Sequence, residues 1–135
     1  MKVLLDTHIL VWFHTRDSRL SEKAWDMLLD VQNNICYSSV NIWETQLKHL
    51  NHPQSINFSG EELNMLSLRA NLTCLHIKPE HSIALKMLSY STDAPRPHKD
   101  PFDKMLICQA KVENMLFMTH DSLIPYYNEP CILQV

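Results

Sequence analysis

Short apolar runs alternate along the chain with longer segments of helical periodicity. The runs predict five strands, at residues 2–5, 35–38, 73–77, 115–119 and 131–135. Apolar residues spaced three and four apart predict helices at 8–14, 21–32, 39–51, 61–72, 80–89 and 102–114. The proline-rich segment 91–101 has no periodicity and predicts a loop. This alternation is typical of an α/β fold, and we expect a three-layer α/β/α sandwich with a central, mainly parallel sheet.

The segment 39–51 carries the clearest helical stripe. Its apolar positions are Val40, Trp43, Leu47 and Leu50. We expect this stripe to face the core, with Trp43, like the other two tryptophans, used for packing.

Composition narrows the class of protein. A chain of 135 residues with 45% hydrophobic residues fits one domain covering residues 1–135. The apolar run at the start is too short for a membrane span and lacks a cleavage site, so we expect a cytoplasmic protein. The chain's four cysteines show no CxxC spacing, which favours free thiols.

The net charge of the chain, -3, is not typical of a generic nucleic-acid binder.

Gly60 is the only glycine in the chain. Phosphate-binding loops of the P-loop and dinucleotide-binding types need several glycines, because their backbone N–H groups must approach the phosphates closely. The sequence therefore excludes both types of nucleotide site.

Five carboxylates occupy positions where an α/β sheet places its ligands. Asp6 follows the first predicted strand and Asp121 follows the fourth. Glu44 lies at the edge of the apolar stripe in segment 39–51, and Asp100 and Asp103 begin the last predicted helix. Ligands of such sheets bind beyond the carboxyl ends of the strands, so these side chains can converge there.

Each acid also has a structural explanation when it is taken alone. Asp6, Asp100 and Asp121 can cap the helices that follow them, and Asp103 can complement the dipole of its helix. Glu44 can pair with Lys48 four residues on. Their joint placement favours a functional site. Carboxylates packed this closely repel one another, and a divalent cation relieves the repulsion. Ligands that are all oxygen favour Mg²⁺ or Mn²⁺, which can support hydrolysis of phosphodiester bonds.

Four blocks of the sequence, in order, resemble the PIN-domain ribonucleases, in particular the VapC-like toxins of toxin–antitoxin pairs. The blocks are DTHILVWF, SSVNIWETQLKH, HKDPFDKMLICQA and LFMTHDSLIPYY. The resemblance implies an endoribonuclease dependent on Mg²⁺ or Mn²⁺, and its catalytic acids match Asp6, Glu44, Asp103 and Asp121. Asp6, Asp103 and Asp121 would hold the metal, with Glu44 or Asp121 acting on the attacking water.

The same resemblance assigns supporting roles and partners. Asp100 would be a further metal ligand or an outer acid, and the hydroxyl of Thr119 would hydrogen-bond within the site. The implied partners are an RNA substrate, a cognate antitoxin protein with an arginine-bearing tail, and a second copy in a homodimer.

Three features depart from the family pattern. Lys104 stands where arginine is usual, and Asn114 replaces a helix-ending glycine, although asparagine can adopt the same left-handed conformation. The loop before Asp100 is also longer than is typical. None of these differences removes a carboxylate.

Other polar residues give weaker signals. The eight histidines lack the spacing of a metal motif and are expected to be packed or solvated. Basic residues near the crevice can contact RNA or form a solvated face, so no RNA-binding residue is assigned. Two other functions stay open: phosphoryl transfer through an aspartyl-phosphate at Asp6, and a non-catalytic RNA-binding or interaction module. Against phosphoryl transfer of the dehalogenase type, His8 occupies the place of a second aspartate.

Overall fold

A computed structural model describes residues 1–135. The strands are β1 (Lys2–Leu5), β2 (Asn34–Ser38), β3 (Thr73–Leu75), β4 (Leu116–Thr119) and β5 (Ile132–Gln134). The α-helices are α1 (Thr7–Thr15), α2 (Glu22–Leu29), α3 (Ser39–Asn51), α4 (Gly60–Arg69), α5 (Pro79–Ile83) and α6 (Pro101–Val112). Two 3₁₀ helices cover Ala84–Met87 and Ile124–Tyr127. None of the helices has the length and apolar character needed to cross a bilayer.

The five strands form one parallel sheet in the order β3-β2-β1-β4-β5. This confirms the predicted α/β class. β1 lies at the centre, where Leu5 is in register with Met118 of β4. The strand order reverses at β1, and such reversals open a crevice at the carboxyl edge of the sheet. The residues that directly follow β1 and β4 both border this crevice.

The core consists of one apolar cluster on each face of the sheet. Val3 and Leu5 point to one face, where they pack with α1, α2 and α4. Leu4 points to the other face and packs with α6. This division follows from the alternation of side chains along a strand. All four cysteines are free thiols, as predicted.

Several elements end in residues with left-handed backbone conformation. Arg16, Asn71, Asn114 and Asn128 have φ values of 52–61°. Asparagine tolerates this conformation better than most residues. The chain can therefore end these elements without the glycines that usually occupy such positions. The expectation for Asn114 is confirmed.

Some boundaries differ from the predicted ones. The helix predicted at 21–32 ends at Leu29, because Asp30 turns the chain and its carboxylate accepts from the backbone of Gln32. The helix predicted at 80–89 is the short α5 followed by a 3₁₀ turn. The strand predicted at 73–77 pairs only as far as Leu75.

The predicted orientation of α3 is wrong. Trp43, Leu47 and Leu50 are 53%, 37% and 67% exposed, so Trp43 is not a core residue. The side chains that α3 buries are mostly polar: Val40, Asn41, Glu44 and Thr45. The helix turns this face inward because Asn41 and Glu44 belong to a hydrogen-bond network beneath the crevice. Of the other tryptophans, Trp12 is buried and Trp25 packs partly buried against the core, as predicted.

Gly60 allows α4 to begin in close contact with α3. A Cβ at this position would lie 2.9 Å from Cβ of Gln46 and 3.1 Å from the carbonyl oxygen of Ile42. We predict that Gly60→Ala lowers the free energy of unfolding by about 1–3 kcal/mol because it overpacks this crossing. Urea denaturation would measure the change, with Glu61→Ala at the next, exposed position as control. Equal stability of Gly60→Ala and the wild type would contradict the close contact.

Candidate metal centre

Asp6 is held rigidly between β1, α1 and β4. It caps α1, and its Oδ1 accepts from the backbone N–H of Thr7 at 2.7 Å. Its Oδ2 accepts from the hydroxyl of Thr119 at 2.6 Å. The residue is only 3% exposed. Asp6 is therefore a helix cap and a buried carboxylate at the crevice at the same time.

Glu44 is fixed from the opposite side of the crevice by α3. It is 2% exposed, its Oε1 accepts from the hydroxyl of Thr7 at 2.7 Å, and its Oε2 pairs with Lys48. The amide of Asn41 donates to the hydroxyl oxygen of Thr7 at 2.9 Å and to the carbonyl of Leu5 at 3.2 Å. The predicted pair with Lys48 is present, but Glu44 is buried rather than at the edge of a stripe.

The first turn of α6 carries two further acids. Asp100 is the N-cap, and its Oδ1 accepts from the backbone N–H groups of Phe102 and Asp103 at 2.8 and 3.2 Å. Pro101 occupies the first helical position, where its missing N–H costs nothing. Asp103 lies one turn further, 8% exposed, and faces the crevice. The capping explanation for Asp100 is thus present in the structure.

Asp121 lies in the loop after β4 and is more exposed than the other acids of the crevice. Its backbone N–H donates to the hydroxyl oxygen of Thr119 at 3.1 Å, and its Oδ1 accepts from the N–H of Leu123 at 2.6 Å. Thr119 therefore connects Asp6 and Asp121 through one hydroxyl.

His98 joins this group, although the sequence pattern did not single it out. It is 9% exposed, and its Nε2 lies 3.1 Å from Oδ2 of Asp103. The side-chain ligand atoms of His98, Asp103 and Asp121 all lie within 4.8 Å of one another. Asp6, Glu44 and Asp100 lie outside this tight group. The only sequence signal for His98 was its place in the block HKDPFD, two residues before Asp100.

The electrostatics connect Asp103 with each of the other four acids. Burial raises the pKa of Asp103 to about 9, and four other carboxylates add repulsion: Asp6, Asp100, Glu44 and Asp121. Burial also raises the pKa of Asp6 to about 6, against the lowering effect of the Thr119 hydrogen bond. Burial lowers the pKa of His98. Burial thus disfavours the charged forms of both His98 and Asp103, which weakens an ion pair between them.

Two cavities flank the acids and share part of their lining. One, of about 250 Å³, lies against Asp6 and Asp121. The other, of about 390 Å³, extends along α1 towards Lys48. His8, Trp12 and Arg19 line both, and the guanidinium of Arg19 lies 4.6 Å from the ring centroid of Trp12. Asp17 also lines the larger cavity and pairs with Arg19 at 2.7 Å.

The fold and the crevice define an α/β protein with an acidic centre at the carboxyl edge of a parallel sheet. The PIN domain family matches residues 3–128, and the chain belongs to this family. No curated protein matches the sequence closely enough to be significant.

Solved structures of the same fold cover the chain from end to end. VapBC2 from Rickettsia felis, bound to a DNA fragment from their promoter, is 16% identical with a TM-score of 0.66 and covers 100% of this chain and 98% of its own. VapBC-1 from nontypeable Haemophilus influenzae is 14% identical with a TM-score of 0.64, over 99% and 98%. A toxin–antitoxin complex from Klebsiella pneumoniae is 14% identical with a TM-score of 0.60, over 98% and 96%. At these identities the likeness shows the fold.

The raised pKa values of Asp6 and Asp103 predict how the stability of the metal-free protein depends on pH. Above about pH 4 the unfolded chain releases protons that the folded chain keeps, so the folded state binds more protons. The contribution of Asp6 and Asp103 to stability therefore falls as the pH rises from about 4 to 9, by at least about 1 kcal/mol. Urea unfolding in EDTA would measure this slope.

Asp103→Asn should flatten the slope, because it removes the most perturbed carboxyl group. Asp26→Asn, at an exposed position on α2, is the matched control and should keep the wild-type slope. Equal slopes for Asp103→Asn and the wild type would show that Asp103 is not the source of the pH dependence.

Proposed function

We propose that this protein is an endoribonuclease dependent on Mg²⁺ or Mn²⁺ and the toxin of a toxin–antitoxin pair. The observation that carries the proposal is the buried carboxyl group of Asp103, surrounded by four other acids at the crevice. A folded protein gains nothing in stability from such mutual repulsion, so a function is the better explanation. Membership of the PIN domain family supports the same conclusion.

The donor chemistry of the crevice fits a divalent cation. Asp6, Asp103 and Asp121 would hold it, with Asp100 as a further ligand or an outer acid. Carboxylate oxygens suit Mg²⁺ and Mn²⁺. When bound, the cation would lower the pKa of a bound water and neutralise charge on the scissile phosphate.

The protein's own residues would position the reacting groups. The hydroxyl of Thr119 fixes Asp6 and the backbone of Asp121, and the hydroxyl of Thr7 fixes Glu44. Both oxygens of Glu44 have partners, whereas Asp121 uses only Oδ1 within the protein. We therefore assign the orientation or deprotonation of the attacking water to Asp121, while Glu44 completes the acid pocket.

The other two functions are less well supported. Transfer through an aspartyl-phosphate of the dehalogenase type needs a second aspartate two residues after Asp6, and His8 occupies that position. A binding module without turnover has no need for a cluster of repelling carboxylates. An RNA-cleavage experiment distinguishes these two functions from the nuclease.

Two protein partners belong to this proposal. The neighbouring structure from Klebsiella pneumoniae is a toxin–antitoxin complex by its description, which supports an antitoxin as partner of this chain. Arginines of that partner would pair with the carboxylates at the crevice. The second partner is another copy of the chain in a homodimer. Residues 1–135 would form one nuclease domain.

Cleavage of RNA tests the proposal. We expect the purified protein to cut RNA with Mg²⁺ or Mn²⁺ and to stop in EDTA. Asp6→Asn and Asp103→Asn should each reduce the rate at least about 100-fold, as expected for loss of one group that stabilises charge in the transition state. Asp26→Asn is the matched control, since Asp26 is exposed on α2.

Three results would contradict the proposal in different ways. Undiminished cleavage by Asp103→Asn would show that the acids of the crevice are not the active site. A failure of the metal-loaded wild type to cut any RNA, with binding retained, would favour the non-catalytic module. A phosphoprotein labelled at Asp6 would favour phosphoryl transfer.

A further inference from the structure

We propose that Nε2 of His98 is a direct ligand of the cation, together with Asp103 and Asp121, and that this nitrogen makes the centre prefer Mn²⁺ to Mg²⁺. The inference rests on the cation dependence proposed above. His98 would join the carboxylates as a metal ligand that is not an acid.

The first support is position. His98 lies at the inner end of the loop before α6 and is 9% exposed. Its ligand atom and those of the two aspartates lie within 4.8 Å of one another, which is close enough for one ion to contact all three after small side-chain shifts. Its Nε2 faces Oδ2 of Asp103 at 3.1 Å. One ion would replace this hydrogen bond by binding both atoms.

The second support is the way the ring is held. Nδ1 of His98 lies 2.7 Å from the hydroxyl of Tyr127. When Nε2 binds a metal, Nδ1 carries the proton and donates to that hydroxyl. Metal-binding histidines almost always use their second nitrogen in this way, which fixes the ring and its tautomer.

The surrounding aromatic residues limit the ring to one orientation. The ring of Tyr90 packs on that of Tyr127 at 4.9 Å and lies 6.1 Å from that of His98. The hydroxyl of Tyr90 donates to the carbonyl of Arg96, two residues before His98. The loop thus presents Nε2 to the acids in a fixed direction.

The ligand set has a consequence for the choice of metal. Mg²⁺ prefers oxygen ligands and holds them in a near-ideal octahedron, whereas imidazole nitrogen suits transition metals. Mn²⁺ binds imidazole more weakly than the later first-row metals do but more readily than Mg²⁺ does, so one imidazole beside the carboxylates favours Mn²⁺ over Mg²⁺. Replacing the imidazole by an amide should remove most of this preference and leave an oxygen site that still accepts Mg²⁺.

Electron spin echo spectroscopy of bound Mn²⁺ tests the ligand directly, without using activity. The wild type, the variant His98→Gln and the control His76→Gln would be prepared with ¹⁵N-labelled histidine and loaded with Mn²⁺. His76 is exposed in the loop after β3. We expect a ¹⁵N coupling to Mn²⁺ in the wild type and in His76→Gln, and its loss in His98→Gln.

Metal titrations give a second measure. In His98→Gln the affinity for Mn²⁺ should fall about 10- to 100-fold, whereas that for Mg²⁺ should change less than about threefold. Tyr127→Phe should keep the ¹⁵N coupling but weaken Mn²⁺ binding about tenfold, since it removes only the outer partner of the ring.

The wild-type spectrum can overturn the role of His98 even if a variant fails to fold. Bound Mn²⁺ without any ¹⁵N coupling would overturn the role of His98 and leave the proposed nuclease intact. Absence of any binding of Mn²⁺ or Mg²⁺ would overturn both the role of His98 and the cation-dependent function.

Discussion

The structure depends on one constraint: five carboxylates must share a small, partly buried crevice. Asp103 is the acid whose charged form is most disfavoured, since burial and the neighbouring acids raise its pKa to about 9. The protein limits the repulsion by giving fixed hydrogen-bond donors to its neighbours. Two threonine hydroxyls hold Asp6 and Glu44, and backbone N–H groups hold Asp100 and Asp121. These contacts fix the positions of the four acids around Asp103.

The parallel sheet makes this arrangement possible. β1 and β4 are neighbours, so the residues just beyond their ends meet at one edge. Thr119 at the end of β4 reaches Asp6, and Thr7 after β1 reaches Glu44 on α3. The cost appears on α3, which turns a mostly polar face inward and leaves Trp43 exposed.

The comparison of sequence and structure shows what each kind of pattern can predict. Asp6 and Asp121 could be placed because strand periodicity and the ends of parallel strands fix where such residues lie. The buried face of α3 could not, because apolar periodicity assumes that the core takes the apolar side of a helix. His98 could not either: it lies in a loop without periodicity, and its partner Tyr127 is 29 residues away in the chain. Contacts of this kind depend on tertiary packing and leave no local signal.

A crystal structure of the protein grown with Mn²⁺ would test the central claim most directly. Anomalous scattering locates Mn²⁺ without assumptions about its ligands. We predict one strong peak in the crevice, within bonding distance of Asp103 and Asp121 and beside Asp6. A structure saturated with Mn²⁺ that shows no peak there, with Asp103 still hydrogen-bonded to His98, would contradict the claim that these acids form a metal centre.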